Sequence, residues 1–102
     1  MTDLHEARRY ADRVAERRPL EHALLGLADG RFVAVLVSGD FEGVPWLERV
    51  DEAERLWDAA AMGQPLEAHC FTPAEFERKR VALPMVRRVA ERGLELLAVP
   101  VG

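Results

Sequence analysis

The side chains of this sequence best suited to chemistry are its carboxylates, which fall into three groups by spacing. Asp40 and Glu42 stand two apart in Asp40-Phe41-Glu42, and on a strand that spacing turns both side chains to one face, where they could share a hard cation. They lie between Gly39 and Gly43, however, and read more simply as residues of a chain-bending loop. Glu67 stands within the alternating run Leu66 to Phe71. It is either a functional acid or the polar residue on the solvent side of a half-buried strand. Glu48, Asp51, Glu52 and Glu54 crowd one short segment; a carboxylate face of that density steers a basic partner or only keeps a helix soluble.

Other reactive types are arranged less suggestively. His5, His22, His69 and Cys70 have no metal-ligand spacing, and the adjacent His69 and Cys70 would face opposite sides of a strand, so Cys70 reads as a core thiol. There is no nucleophile–histidine–acid pattern, Walker loop or dinucleotide fingerprint. Arg78-Lys79-Arg80, with Arg87 and Arg88 beyond it, is a basic edge for phosphate or an acidic partner, or else a solvated helix face. Trp46 and Trp57 read as core and staple residues of one helix.

Periodicity supplies the elements that must position these groups. Asp3 and Glu6 form a capping box, and Leu4, Ala7, Ala11, Val14 and Ala15 recur at helical spacing, predicting a helix over 4–17, before Pro19. Residues 21–27 and 31–38 read as two strands joined by the Asp29-Gly30 turn, and the unalternating apolar run from Phe32 to Val37 makes the second strand central, covered on both faces. A helix is predicted over 45–61, with Leu47, Val50, Leu56 and Trp57 as its apolar stripe and Glu48, Arg49, Asp51, Glu52, Glu54 and Arg55 on a solvated face. Residues 66–71 follow as a strand, reached by a right-handed parallel crossover. Thr72, Pro73 and Glu75 then open a helix with a capping box. Pro84 opens another that ends at Gly93, and Leu94 to Val99 is a last strand or docked tail; the apolar segment Leu94 to Val101 completes the sheet or leaves an edge that pairs with another chain. The class is α+β (α/β), a small mixed sheet with packed helices.

Composition bounds the rest. At 102 residues, with 49% apolar and 31% charged residues, the sequence makes one domain over 1–102 with a single core. A net charge of -4 disfavours broad electrostatic binding to nucleic acid. A lone cysteine excludes an internal disulfide, and the lack of a long apolar stretch or signal-peptide core predicts a cytoplasmic protein without a membrane segment. Basic residues are almost all arginine and alanine is frequent, as in GC-rich bacterial genomes.

The segments VSGDFEGVPWLERV and HCFTPAEFER, taken with this element order, resemble the minimal nucleotidyltransferase (MNT) domains of the polymerase-beta type over nearly the whole chain. In that family a Gly-Ser turn holds a nucleotide phosphate, and an Asp-x-Asp pair with a third carboxylate holds two magnesium ions. By the resemblance, Gly26 and Gly30 belong to a degenerate phosphate turn with no serine. Arg31 and Val33 stand where the paired aspartates would be, and Glu67 matches the third carboxylate. Magnesium takes oxygen ligands, which valine does not offer, and arginine repels cations. The resemblance therefore implies a pseudoenzyme without metal ligands that acts by protein binding, and the net negative charge with the carboxylate face of Glu48, Asp51, Glu52 and Glu54 makes that face the expected contact with a basic partner. Small members of the family are often antitoxins to a helical HEPN-type ribonuclease, which suggests that partner. The alternative is an active transferase using magnesium and ATP, with Asp29, Asp40 or Glu42 recruited beside Glu67 to move a nucleotide monophosphate onto a protein or small-molecule hydroxyl.

Overall fold

A computed structural model describes residues 2–97, with side chains from Leu4 onward. The chain runs α1 (Thr2–Arg17), β1 (His22–Ala28), β2 (Arg31–Val37), a 3-10 turn (Gly39–Phe41), α2 (Trp46–Arg55), α3 (Ala59–Met62), β3 (Leu66–Phe71), α4 (Pro73–Ala82), α5 (Pro84–Arg92) and β4 (Leu94–Glu95). It is a small α+β fold. The sheet is mixed, in the order β3-β2-β1-β4. β1 and β2 pair antiparallel across the tight turn at Asp29 and Gly30, both with positive φ, the backbone that suits a two-residue hairpin. β2 pairs parallel with β3, and β1 antiparallel with β4. The expected central position of β2 is observed.

Why β2 is apolar throughout is plain from its two faces. Ala34 and Leu36 join Ala23, Leu66, Ala68 and Cys70 beneath α1 and α3, whereas Val33, Val35 and Val37 join Leu24, Phe71 and Phe76 beneath α4 and α5. Val33 is fully buried; Phe32 is half-buried, against the Trp57 ring. The predicted capping box at α4 forms, with the Thr72 side chain accepting from the Glu75 amide and Glu75 accepting from the Thr72 amide. Gly93 ends α5 without a left-handed backbone. A Cβ there would stand 2.4 Å from the Val89 carbonyl oxygen and 3.1 Å from that of Leu25, so glycine is needed for close approach to β1. The Asp3 capping box and the tail beyond Leu97 lie outside the described side chains.

The segment 45–61 departs most from expectation. It is two helices, not one. α2 stops at Arg55, and Asp58 begins α3 by accepting a hydrogen bond from the Ala61 amide, while buried Trp57 turns inward and donates from Nε1 to the Gln64 carbonyl. The helix is also rotated from the predicted orientation. Arg49, expected on the solvated face, is only 7% exposed, and Leu47, expected in the core stripe, is 79% exposed. Trp46, expected in the core, is 42% exposed.

Strand β3 supplies the reason, because among the described residues it is an edge of the sheet, whose outer backbone groups have no partner strand. Arg49 donates to the carbonyls of Val44 at 2.8 Å and Cys70 at 3.2 Å, and Glu54 accepts from the Ala68 amide at 3.1 Å. Two charged side chains of α2 thus occupy backbone positions that another strand would use. Arg49 is further held by Glu75 at 2.7 Å and lies over the Phe41 ring.

Candidate functional site

The parallel β2–β3 register sets Val33 beside Glu67 and Val35 beside His69. Side chains two apart share a face, so the sequence positions that the resemblance singles out, Arg31, Val33 and Glu67, meet on one side of the sheet. They do not make a carboxylate cluster. Val33 is buried beneath the α4–α5 layer, and the Arg31 guanidinium stands 3.4 Å from a Glu67 oxygen. The other Glu67 oxygen lies 2.8 Å from Nε2 of His69. That hydrogen bond chiefly holds the Glu67 carboxyl below its ordinary range; desolvation opposes it, and the charge of Arg31 adds to it. An ionised carboxylate only accepts, so the proton in this contact is carried by Nε2 of His69. A guanidinium where cations would collect does not fit a magnesium pair.

Beyond His69 the same face opens into a groove of about 290 Å³ between β3, the start of α2 and the end of α4, lined by Trp46, His69, Phe71, Glu75, Lys79 and Leu83. Its rings form a cluster, with Trp46 and Phe71 centroids 5.5 Å apart and His69 6.4 Å from each. Of its charges, Glu75 is engaged by Arg49 and the Thr72 amide, whereas Lys79 makes no ion pair among the described residues. Sequence reasoning missed this assembly. The alternation of β3 already put Glu67, His69 and Phe71 on one face, but Trp46 and Lys79 arrive from helices whose orientation depends on Arg49.

The remaining predicted residues lie apart from it. Gly26 is inside β1 opposite Val33, where an added Cβ would meet Val89 at 3.2 Å, and Gly30 is in the hairpin turn with Asp29. Asp40 and Glu42 are exposed around the 3-10 turn; the Asp40 carbonyl accepts from Arg18 and its amide donates to Ser38 Oγ. Among the described residues no three His, Cys, Asp or Glu side chains converge as metal ligands, so Asp29, Asp40 and Glu42 do not gather around Glu67. His5 is exposed and His22 pairs with Glu95 at 2.7 Å. Cys70 is buried, and burial pushes its thiol up to about 12. Arg78, Lys79, Arg80, Arg87 and Arg88 are all exposed on α4 and α5.

The acidic segment divides in two. Glu52 binds Arg18 of α1 at 2.6 Å and Glu54 holds the edge amide of Ala68, so both have structural partners. Glu48 and Asp51 lie on the outer face, Asp51 paired to Arg55 one turn on, and with exposed Glu54 they surround exposed Leu47 and half-buried Val50 in a shallow depression. This is a small apolar centre with a carboxylate rim. Among the described residues no helix is long and apolar enough to cross a membrane. Comparisons with protein-family models, curated proteins and solved structures found no match to this chain.

Proposed function

We propose that this protein is a degenerate nucleotidyltransferase-like domain that acts by binding a basic protein partner through the outer face of α2. The observation that carries the reading is the exposure of Leu47, 79%, on a helix that turns Arg49 inward instead. Arg49 has structural partners that account for its burial, whereas Leu47 has none among the described residues, and it stands beside half-buried Val50 on the same outer face. An apolar centre with a charged rim is the anatomy of a recognition surface, and Glu48 and Asp51 make that rim negative. The Arg31–Glu67 pair supports loss of the ancestral metal chemistry, because it neutralises the carboxylate that the resemblance retains. The resemblance suggests a helical HEPN-type ribonuclease as partner, with this chain as its antitoxin.

Affinity purification of the tagged protein from its source cells, with mass spectrometry of what accompanies it, tests the reading. Leu47→Asp should abolish recovery of the partner, and Glu48→Arg with Asp51→Arg should weaken it, with the thermal midpoint of each variant nearly unchanged because exposed charges contribute little to folding. Full recovery with both variants would refute the assigned surface. Magnesium-dependent nucleotide transfer by the native protein, lost in Glu67→Ala, would overturn the binding role in favour of the enzymatic one.

A further inference from the structure

We propose that the groove between β3, α2 and α4 is a binding site for a small planar aromatic ring bearing one anionic group. It is separate from the protein-binding face and does not depend on it. Three features support the proposal. First, Trp46 is 42% exposed although its ring lies 5.5 Å from that of Phe71, so part of the indole borders open space in the groove. An indole held there offers a stacking surface, and ring stacking on an aromatic side chain contributes about 1–3 kcal/mol in nucleic-acid sites, whatever the identity of the ring.

Second, the one charge of the groove lining left without an ion pair among the described residues is positive. Arg31 neutralises Glu67 and Arg49 neutralises Glu75, which leaves Lys79, the only lysine of the chain, with no carboxylate among the described residues. Of the two charged residues that line the groove, Glu75 is already paired with Arg49, so Lys79 is the one left to meet an anion. Third, the size selects the ligand. A volume of about 290 Å³ lies at the lower bound of small-molecule pockets, which suits one or two fused rings with a short substituent. The ring lies against Trp46, the anion meets Lys79, and the His69 ring, held by Glu67 through Nε2, borders the same groove.

The two tryptophans make the test site-specific. In a ¹⁵N–¹H correlation spectrum of the native protein, the indole N–H of Trp46 reports on the groove and that of Trp57, buried and bound to the Gln64 carbonyl, is an internal control. Benzoate and phenyl phosphate are titrated in parallel, beside cyclohexanecarboxylate (charge without ring) and benzyl alcohol (ring without charge). At least one aromatic anion should shift the Trp46 resonance saturably and leave that of Trp57 in place, with each control about tenfold weaker, the loss of one stacking or charge contact of about 1.4 kcal/mol. Preference for phenyl phosphate names a phosphorylated ring, and preference for benzoate an aromatic carboxylic acid. Lys79→Met should weaken the anion about tenfold and leave benzyl alcohol unchanged. The proposal fails if neither aromatic anion moves Trp46, if cyclohexanecarboxylate binds as well as benzoate, or if Lys79→Met has no effect while the variant's spectrum is otherwise native.

Discussion

Arg49→Met removes the charge on which the edge of the sheet depends while keeping the aliphatic stem. The native guanidinium donates to Val44 and Cys70 carbonyls and to Glu75, all from a buried position. Replacing both members of a buried ion pair by apolar groups is often harmless, but here only one member leaves and two backbone acceptors stay behind. An unsatisfied buried acceptor costs about 1–3 kcal/mol. Val44 and Glu75 are half-buried and regain some water, so the total should fall near the lower end of the roughly 3–5 kcal/mol typical of breaking a buried pair. About 3 kcal/mol in a domain of this length corresponds to a Tm lowered by about 12–24 °C. Calorimetry at neutral pH measures it directly, and a decrease under about 3 °C would refute the account of why α2 is rotated.

The same pair has a pH signature. The hydrogen bond from Arg49 is the main cause of a lowered Glu75 carboxyl, aided by the Thr72 amide and opposed by desolvation. A carboxylate depressed in the folded state contributes stability above its unfolded value of 4.5, and the contribution is lost as pH falls through the lower folded value. Native protein should therefore lose stability with acid more steeply below pH 4.5 than Arg49→Met. Equal acid limbs would show that Glu75 draws nothing from Arg49.

Gly93→Ala should destabilise by about 1–3 kcal/mol, since its Cβ meets two backbone oxygens that cannot move independently, whereas Gly26→Ala, which meets only the end of the Val89 side chain, should cost less than about 1 kcal/mol. Equal denaturation midpoints for the two variants would refute the close-approach reading. Cys70 should react with a thiol reagent at pH 8 about 10³-fold more slowly than an unfolded control, because a thiol raised to about 12 is almost wholly protonated. Labelling at the rate of the control would place the thiol outside the core.

The legible parts of the fold were those set by local pattern. The Asp29-Gly30 turn, the unalternating β2 and the Thr72–Glu75 box each state their structure within a few residues. The rotation of α2 was illegible because periodicity scores arginine as polar. Its actual buried residues are Arg49 and Ala53, four apart, and Arg49 belongs there only because Cys70 and Glu75, distant in sequence, need a donor. The helix break after Arg55 likewise depends on Trp57 reaching the Gln64 carbonyl. Half of the site followed from β3 alternation. The other half, Trp46 and Lys79, depended on the misread helix and on the packing of α4.

That rotation also divides the work within the proposed protein interface. Had all four carboxylates of α2 faced water, binding would be a matter of charge, fast to form and easily screened. Glu52 and Glu54 are instead committed to Arg18 and to the Ala68 amide, and a partner gains from them only by breaking those contacts. What remains is Leu47 with Glu48 and Asp51 beside it. Buried central residues govern how slowly a complex dissociates, whereas rim charges govern how fast it forms. Leu47→Asp should therefore act on dissociation of the complex, and reversal of Glu48 and Asp51 on association and its salt dependence. Because Arg49 and Glu54 already occupy the Cys70 carbonyl and the Ala68 amide of the β3 edge, a strand added there would have to displace both, which favours recognition through side chains.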